Sequence, residues 1–98
     1  MNPFHVTRRA RQDLIGIWTY IATRSGTAAA DRVLAEIYDA IQMLAAQPRM
    51  GHIRPDVRNP RYRFWAVHKF VIAYHVSRQP LTIARVIHGA RDFKAIFG

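Results

Sequence analysis

The densest group of residues able to do chemistry lies in the last eighteen positions. A β-rich run from Leu81 to His88 stops at Gly89 and is followed by Ala90, Arg91, Asp92 and a short tail reaching Phe97. An imidazole and a guanidinium on either side of a glycine hinge can hold cationic donors beside a sheet edge. The chemistry this suits is metal-free RNA cleavage, in which a 2′-hydroxyl attacks the neighbouring phosphate. That reaction needs a base, an acid and cations for the pentacovalent oxyanion. Arg63, Lys69, His88 and Arg91 are the cations available, and His88 is the proton carrier. Phe97 has no hydroxyl, so it can stack on a base but cannot exchange a proton.

Other chemistries find little material. The six acids are scattered, and Asp13, Asp31, Glu36 and Asp39 read as solvent-side helical residues. His52, His68, His75 and His88 lack i, i+4 pairing, and the chain has no cysteine, so neither a metal site nor a disulfide framework is expected. No phosphate-binding loop, nucleophile elbow or zinc signature is present, and no cofactor is expected. Tyr62-Arg63-Phe64-Trp65 interleaves aromatics with a base, as stacking on nucleic acid would require if they were exposed. Strand alternation puts Tyr62 and Phe64 on one face, expected to lie in the core under the helices. Arg63 and Trp65 fall on the other, with Trp65 a candidate interface residue.

The elements that position these residues follow from periodicity. Phe4 to Val6 reads as a short strand, with Thr7 as the cap of a helix whose apolar face is Ala10, Leu14, Ile17 and Ile21. Ser25-Gly26-Thr27 interrupts it, and Thr27 is expected to cap a second helix faced by Ala30, Leu34, Ile37, Ile41 and Leu44. Pro48 ends that helix near Ala46 and Gln47. Residues 48–60 form a proline-rich loop carrying Arg49, Arg54 and Arg58 against Asp56. The period then changes to two. Tyr62–Val67 and Phe70–Val76 are strands joined by His68-Lys69, and a second turn at Ser77–Pro80 leads into Leu81–His88. The expected fold is α+β: a helical hairpin packed on a mainly antiparallel sheet, with an N-terminal strand and a short C-terminal helix or tail. The pairing of the N-terminal strand stays open.

Ninety-eight residues, half of them hydrophobic, suit one domain over residues 1–98. The N-terminus has no apolar signal-peptide core, and no run is long enough to span a membrane, so a cytoplasmic protein is expected. The charge is the strong compositional signal. It is +9, and all but Lys69 and Lys94 of the fifteen basic residues are arginine. Such a surface attracts nucleic acid, a nucleoprotein or an acidic protein.

Taken together, these residues resemble the ParE toxins of bacterial toxin–antitoxin modules. The resemblance rests on Val6-Thr7, Ala10, Asp13-Leu14, Ile17 and Tyr20-Ile21 at the start, and on Pro48 and Gly51 after the second helix. It continues through Phe70 to Tyr74 and ends on Val86 to Asp92. It implies the ParE/RelE fold and a cognate ParD-like antitoxin with an acidic segment, in a hetero-oligomer. For function it implies either of two activities. ParE-like members are associated with poisoning DNA gyrase, whereas RelE-like members cleave mRNA on the ribosome. RelE-type nucleases carry a late arginine, matched by Arg91, then a tyrosine where Phe97 stands and a second arginine where Val71 stands. The expectation is therefore a gyrase-binding toxin with no catalytic residue of its own. His88, Arg91, Asp92, Phe97 and Arg63 are the candidate target contacts, and Arg91 is expected to pair with Asp92 or an acidic partner. Trp18, Tyr20, Tyr38, Arg8 and Arg11 are the candidate antitoxin contacts. The rival readings are an mRNA endonuclease, a small nucleic-acid-binding module and an inactive toxin.

Overall fold

The computed structural model describes residues 3–76 and 80–98. The elements in order are β1 (Phe4–Val6), α1 (Arg8–Ser25), α2 (Thr27–Ala46), β2 (Tyr62–Val67), β3 (Phe70–His75), β4 (Leu81–His88) and α3 (Phe93–Phe97). One sheet runs β1-β4-β3-β2, antiparallel except where β1 lies parallel to β4. That pairing, which the sequence left open, sets Phe4, His5 and Val6 beside Leu81, Thr82 and Ile83. The turn expected at Ser77–Pro80 falls, apart from Pro80, outside the described residues.

Thr7 starts α1 as its spacing predicts. Its hydroxyl accepts the Ala10 N–H at 3.1 Å and donates to the Ala84 carbonyl at 3.0 Å, so one side chain both caps the helix and ties it to β4. The expected Thr27 cap does not form. Gly26, with φ 92°, closes α1 and itself occupies the cap position of α2, leaving Thr27 already helical. Only glycine adopts that backbone without strain. α2 ends at Ala46 and Gln47, just before Pro48.

The helices cover the face of the sheet opposite to the one expected. Leu14, Ile17, Ile37 and Ile41 pack with Ile72, Tyr74 and Ile83, and with partly buried Trp65, Val67 and Phe70. Trp65 is thus half-buried beneath the hairpin, and its ring stacks on His52 at 5.9 Å. Tyr62 and Phe64 do enter a core, but it is a second one on the far face. There Phe64, Ala73 and Ile87 are covered by Val57 of the loop and Phe93 of α3. Both faces of β3 are therefore apolar because both are covered.

His68 and Lys69 make the expected two-residue hairpin, with Val67 opposite Phe70. Among the described non-glycine residues, His68 is the one with positive φ, 55°, and its ring is paired with Glu36 of α2. The long loop is tied down along its length. His52 exchanges two backbone hydrogen bonds with Phe64, at 2.7 and 2.8 Å. Arg54 grips Asp56 with two 3.0 Å bonds and lays its guanidinium 3.8 Å from the centre of the Phe93 ring. The Arg54 hydrogen bond holds the Asp56 carboxyl below its usual range.

Candidate functional site

The site is built on the join between α1 and β4. Asp13, read from the sequence as a solvent-side acid, is instead the clasp of this join. Arg85 donates to both its oxygens, at 2.7 and 3.1 Å, and the Val86 N–H donates to it at 3.0 Å. The two side chains are only 12% and 15% exposed. A signal was present in the sequence: Asp13 lies three residues after Ala10 and four before Ile17, inside the buried stripe. Arg85 sits in the middle of an apolar strand. One acid and one base at core-facing positions imply each other.

Beside this clasp a cleft of about 500 Å³ opens between α1 and the far end of β4. Gly16, Tyr20, Phe70, His88 and Arg91 line it. A Cβ on Gly16 would meet nothing within 4 Å, so this mid-helix glycine keeps the floor low without any packing need. Tyr20 is 57% exposed, with the Arg24 guanidinium 4.6 Å from its ring centre. His88 accepts the Ala90 N–H on Nδ1 at 3.0 Å, which directs Nε2 outward, and its ring meets Phe70 edge-on at 5.9 Å. The Gly89 N–H donates to the Lys69 carbonyl at 2.8 Å, which closes the turn after β4 onto the β2–β3 hairpin. Arg91 is exposed and makes no ion pair among the described residues. The cleft thus gathers a phenol, an imidazole and a free guanidinium, and the one carboxylate in its lining, Asp13, is already paired with Arg85. It suits an anionic or hydrogen-bonding group presented by a larger partner.

The remaining tail and strand candidates are placed elsewhere. Asp92 does not pair with Arg91; its carboxylate caps α3, accepting the Ala95 N–H at 3.2 Å. Phe97 packs with Tyr62, Phe64 and Phe93 at ring distances of 4.9, 5.4 and 6.0 Å. Val71 joins the same apolar cluster. Arg63 donates to the carbonyls of Gly51 at 2.8 Å and Arg49 at 3.4 Å, so it fastens the loop instead of facing a ligand. Lys69 is exposed at the hairpin. Of the cations proposed for RNA cleavage, only His88 and Arg91 line a common cleft.

A second exposed surface runs along the outer seam of the hairpin. Arg8, Arg11, Ile15 and Trp18 recur at three- and four-residue steps and form one stripe of α1. All four are exposed, Ile15 at 62% and Trp18 at 36%. The Trp18 indole N–H donates to Asp31 of α2 at 2.9 Å. Tyr38, 39% exposed, lies two turns on from Asp31 along the same side of α2. Trp18, Tyr20 and Tyr38 are thus all outside the core, but Tyr20 belongs to the cleft and the other two to the seam.

Both the sequence and the fold find matches among known proteins. Residues 4–93 match the family described as "ParE toxin of type II toxin-antitoxin system, parDE". Toxin ParE1 of Caulobacter vibrioides is 35% identical over 98 residues, covering all of both chains. Toxin ParE1 of Mycobacterium tuberculosis (strain H37Rv) is 31% identical over 84 residues, 85% of each chain. Among solved structures, a chain of the chromosomal ParDE TA system from P. aeruginosa superposes with a TM-score of 0.74. It is 22% identical, and the match covers 87% of this chain and 92% of that one.

Proposed function

The chain belongs to the ParE toxin family of type II toxin–antitoxin systems, and from that premise we propose that it acts by binding, with separate surfaces for antitoxin and target. The target is DNA gyrase in its DNA-bound form, contacted through the cleft of Tyr20, His88 and Arg91. The antitoxin is a ParD-like protein whose acidic segment lies along the seam of Arg8, Arg11, Ile15, Trp18 and Tyr38. The observation that carries the binding reading is the apolar packing on the half of the far face that lies under α3 and the loop. Val71 and Phe97, at the positions where RelE-type nucleases hold an arginine and a tyrosine, are packed into an apolar cluster. Neither an isopropyl group nor a phenyl ring offers a proton relay or a cation for an oxyanion. The ParDE system that shares this fold supports a ParD-like partner.

The cleft is tested by filling it. Gly16→Leu occupies space that nothing else uses and replaces a residue about 1 kcal/mol poorer in helix propensity than alanine, so folding is expected to be retained. Arg91→Ala should raise the concentration needed to inhibit gyrase supercoiling by about tenfold, as loss of one charge-assisted contact implies, and Gly16→Leu should raise it by occupying the cleft. Cell-free translation run in parallel should leave mRNA intact, and Phe97→Tyr should not change that. Cleavage of mRNA in the ribosomal A site with supercoiling unaffected would sink the binding account.

The seam gives a separate expectation. Tyr38→Ala and Trp18→Ala should weaken the antitoxin complex by about 2 kcal/mol each, typical of aromatic anchors at interface centres. They should leave gyrase inhibition by the free toxin unchanged. Titration calorimetry with the cognate antitoxin checks the first point; wild-type affinity in both variants would move the antitoxin off this surface.

A further inference from the structure

One row of side chains crosses the sheet from edge to edge on the face away from the helices. The register aligns His5 with Thr82, Thr82 with His75, and His75 with Tyr62. The neighbours of this row confirm which way it faces. Phe4, Val6, Leu81, Ile83 and Tyr74 all pack into the helix-side core, so His5, Thr82 and His75 lie on the other side. α3 and the loop cover only the half of that face holding Phe64, Ala73 and Ile87. The other half is left as a pocket of about 390 Å³ lined by His5, Thr7, Arg61, His75 and Thr82.

Its chemistry is one-sided. No carboxylate lines it, and the six acids of the chain are placed elsewhere. Asp13 is clasped to Arg85, Asp56 to Arg54, and Asp92 caps α3. Asp31, Glu36 and Asp39 belong to α2, across the sheet. Arg61 and His5 are exposed, and neither makes a side-chain hydrogen bond or ion pair among the described residues. The Thr82 hydroxyl makes only a long 3.4 Å contact, to the Pro80 carbonyl. His75 closes the wall, its ring 4.6 Å from that of Tyr62. His5 and His75 are two strand spacings apart, roughly 10 Å, with the small threonine between them. A tetrahedral oxyanion fits above Thr82, taking donors from the Arg61 fork, the His5 imidazole and the hydroxyl.

We propose that this half-face is a second binding site, for a phosphate-type oxyanion, distinct from the cleft between α1 and β4. It rests on the pocket alone and not on gyrase being the target. The oxyanion has two possible sources, a free phosphate or the backbone of DNA, and both present the same group to the pocket.

The test follows the ring signals of His5 and His75 by NMR in the whole chain, at constant ionic strength and pH. Inorganic phosphate is titrated in one arm and a 12-base-pair duplex in the other. Phosphate is expected to shift both rings along one saturable curve, which equivalent chloride does not reproduce. His5→Ala and Arg61→Gln, both at exposed positions, should each weaken that binding by about tenfold, the effect of removing one charge-assisted hydrogen bond. Arg32→Gln on α2 should leave it unchanged. A duplex that shifts the same rings and competes with phosphate identifies the DNA backbone as source. A duplex that leaves them unmoved identifies a free phosphate. The proposal is overturned if phosphate moves neither ring, or if Arg32→Gln weakens binding as much as Arg61→Gln. The second outcome would mean that only diffuse surface charge was being read.

Discussion

Asp13→Ala is expected to destabilise the protein by about 3 kcal/mol, the lower end of what breaking a buried ion pair costs. Three bonds are lost together: both guanidinium contacts of Arg85 and the acceptor for the Val86 N–H. The guanidinium is left 15% exposed with no anion, and the strand amide is left without its acceptor. For a domain of this size the loss corresponds to a melting temperature lower by roughly 10 °C or more. The Asp13→Asn variant, which keeps an oxygen for Val86, should fall between wild type and alanine. Removing both partners in Asp13→Ala/Arg85→Ala should cost less than the two single losses summed, because no uncompensated charge remains. Thermal unfolding followed by circular dichroism decides the matter. A shift of only a degree or two for Asp13→Ala would mean that the clasp contributes nothing to holding α1 on β4.

The second large effect is expected at Gly51. The phenol of Tyr74 is fully buried and donates to the Pro48 carbonyl at 2.7 Å while accepting the Gly51 N–H at 2.8 Å. A Cβ at position 51 would lie 2.3 Å from that oxygen and 2.7–2.8 Å from two ring carbons. Gly51→Ala must therefore displace the loop or the tyrosine, and about 2 kcal/mol of destabilisation is expected, within the range for overpacking a close-packed site. Tyr74→Phe does not rescue it, since the ring carbons remain in the way. On its own, Tyr74→Phe should cost about 1–3 kcal/mol by leaving a buried N–H without its acceptor. Urea unfolding of the two single variants and the double variant measures all three quantities. A neutral Gly51→Ala would mean that the loop has a second equally stable path.

The same tyrosine predicts an alkaline limit. Burial pushes the Tyr74 phenol above its usual value of about 10. The unfolded chain therefore loses this proton first as pH rises, and unfolding is favoured by the difference. The contribution is intact below about pH 10 and declines above it. Tyr74→Phe should remove this part of the alkaline fall in stability while lowering stability at neutral pH.

These two clasps show where reading residues in order stops. The amphipathic spacing of Ala10 to Ile21 and of Ala30 to Leu44, and the period-two runs that follow, fix the hairpin, the meander and their order. The reason is that side-chain direction in a helix or strand is a local property of the backbone. Thr7 as a cap and Pro48 as a stop are equally local. Which face of the sheet the helices take is not local. Alternation separates Tyr62 and Phe64 from Arg63 and Trp65 without ranking the two faces, and both faces turn out to be covered. Nor is the fate of a charged residue local. Asp13, Arg63 and Asp92 each satisfy a backbone or ionic partner that only folding brings near.

The candidate site divides along the same line. By itself the sequence determined the family resemblance and the basic charge, and it named Trp18, Tyr20, Tyr38, His88 and Arg91 as contact candidates without deciding which of the aromatics are exposed. Tertiary structure alone decided that Tyr20 shares a cleft with His88 and Arg91, while Trp18 and Tyr38 share the opposite seam with Arg8 and Arg11. It also decided that Phe97 and Val71 pack against an apolar cluster and that His5, far from the tail in sequence, completes a row with Thr82 and His75. Helical and strand periods assign residues to faces. Which faces meet depends on strand pairing and on the parallel return of β1 to β4, which closes over a sequence separation too long for any local pattern to encode.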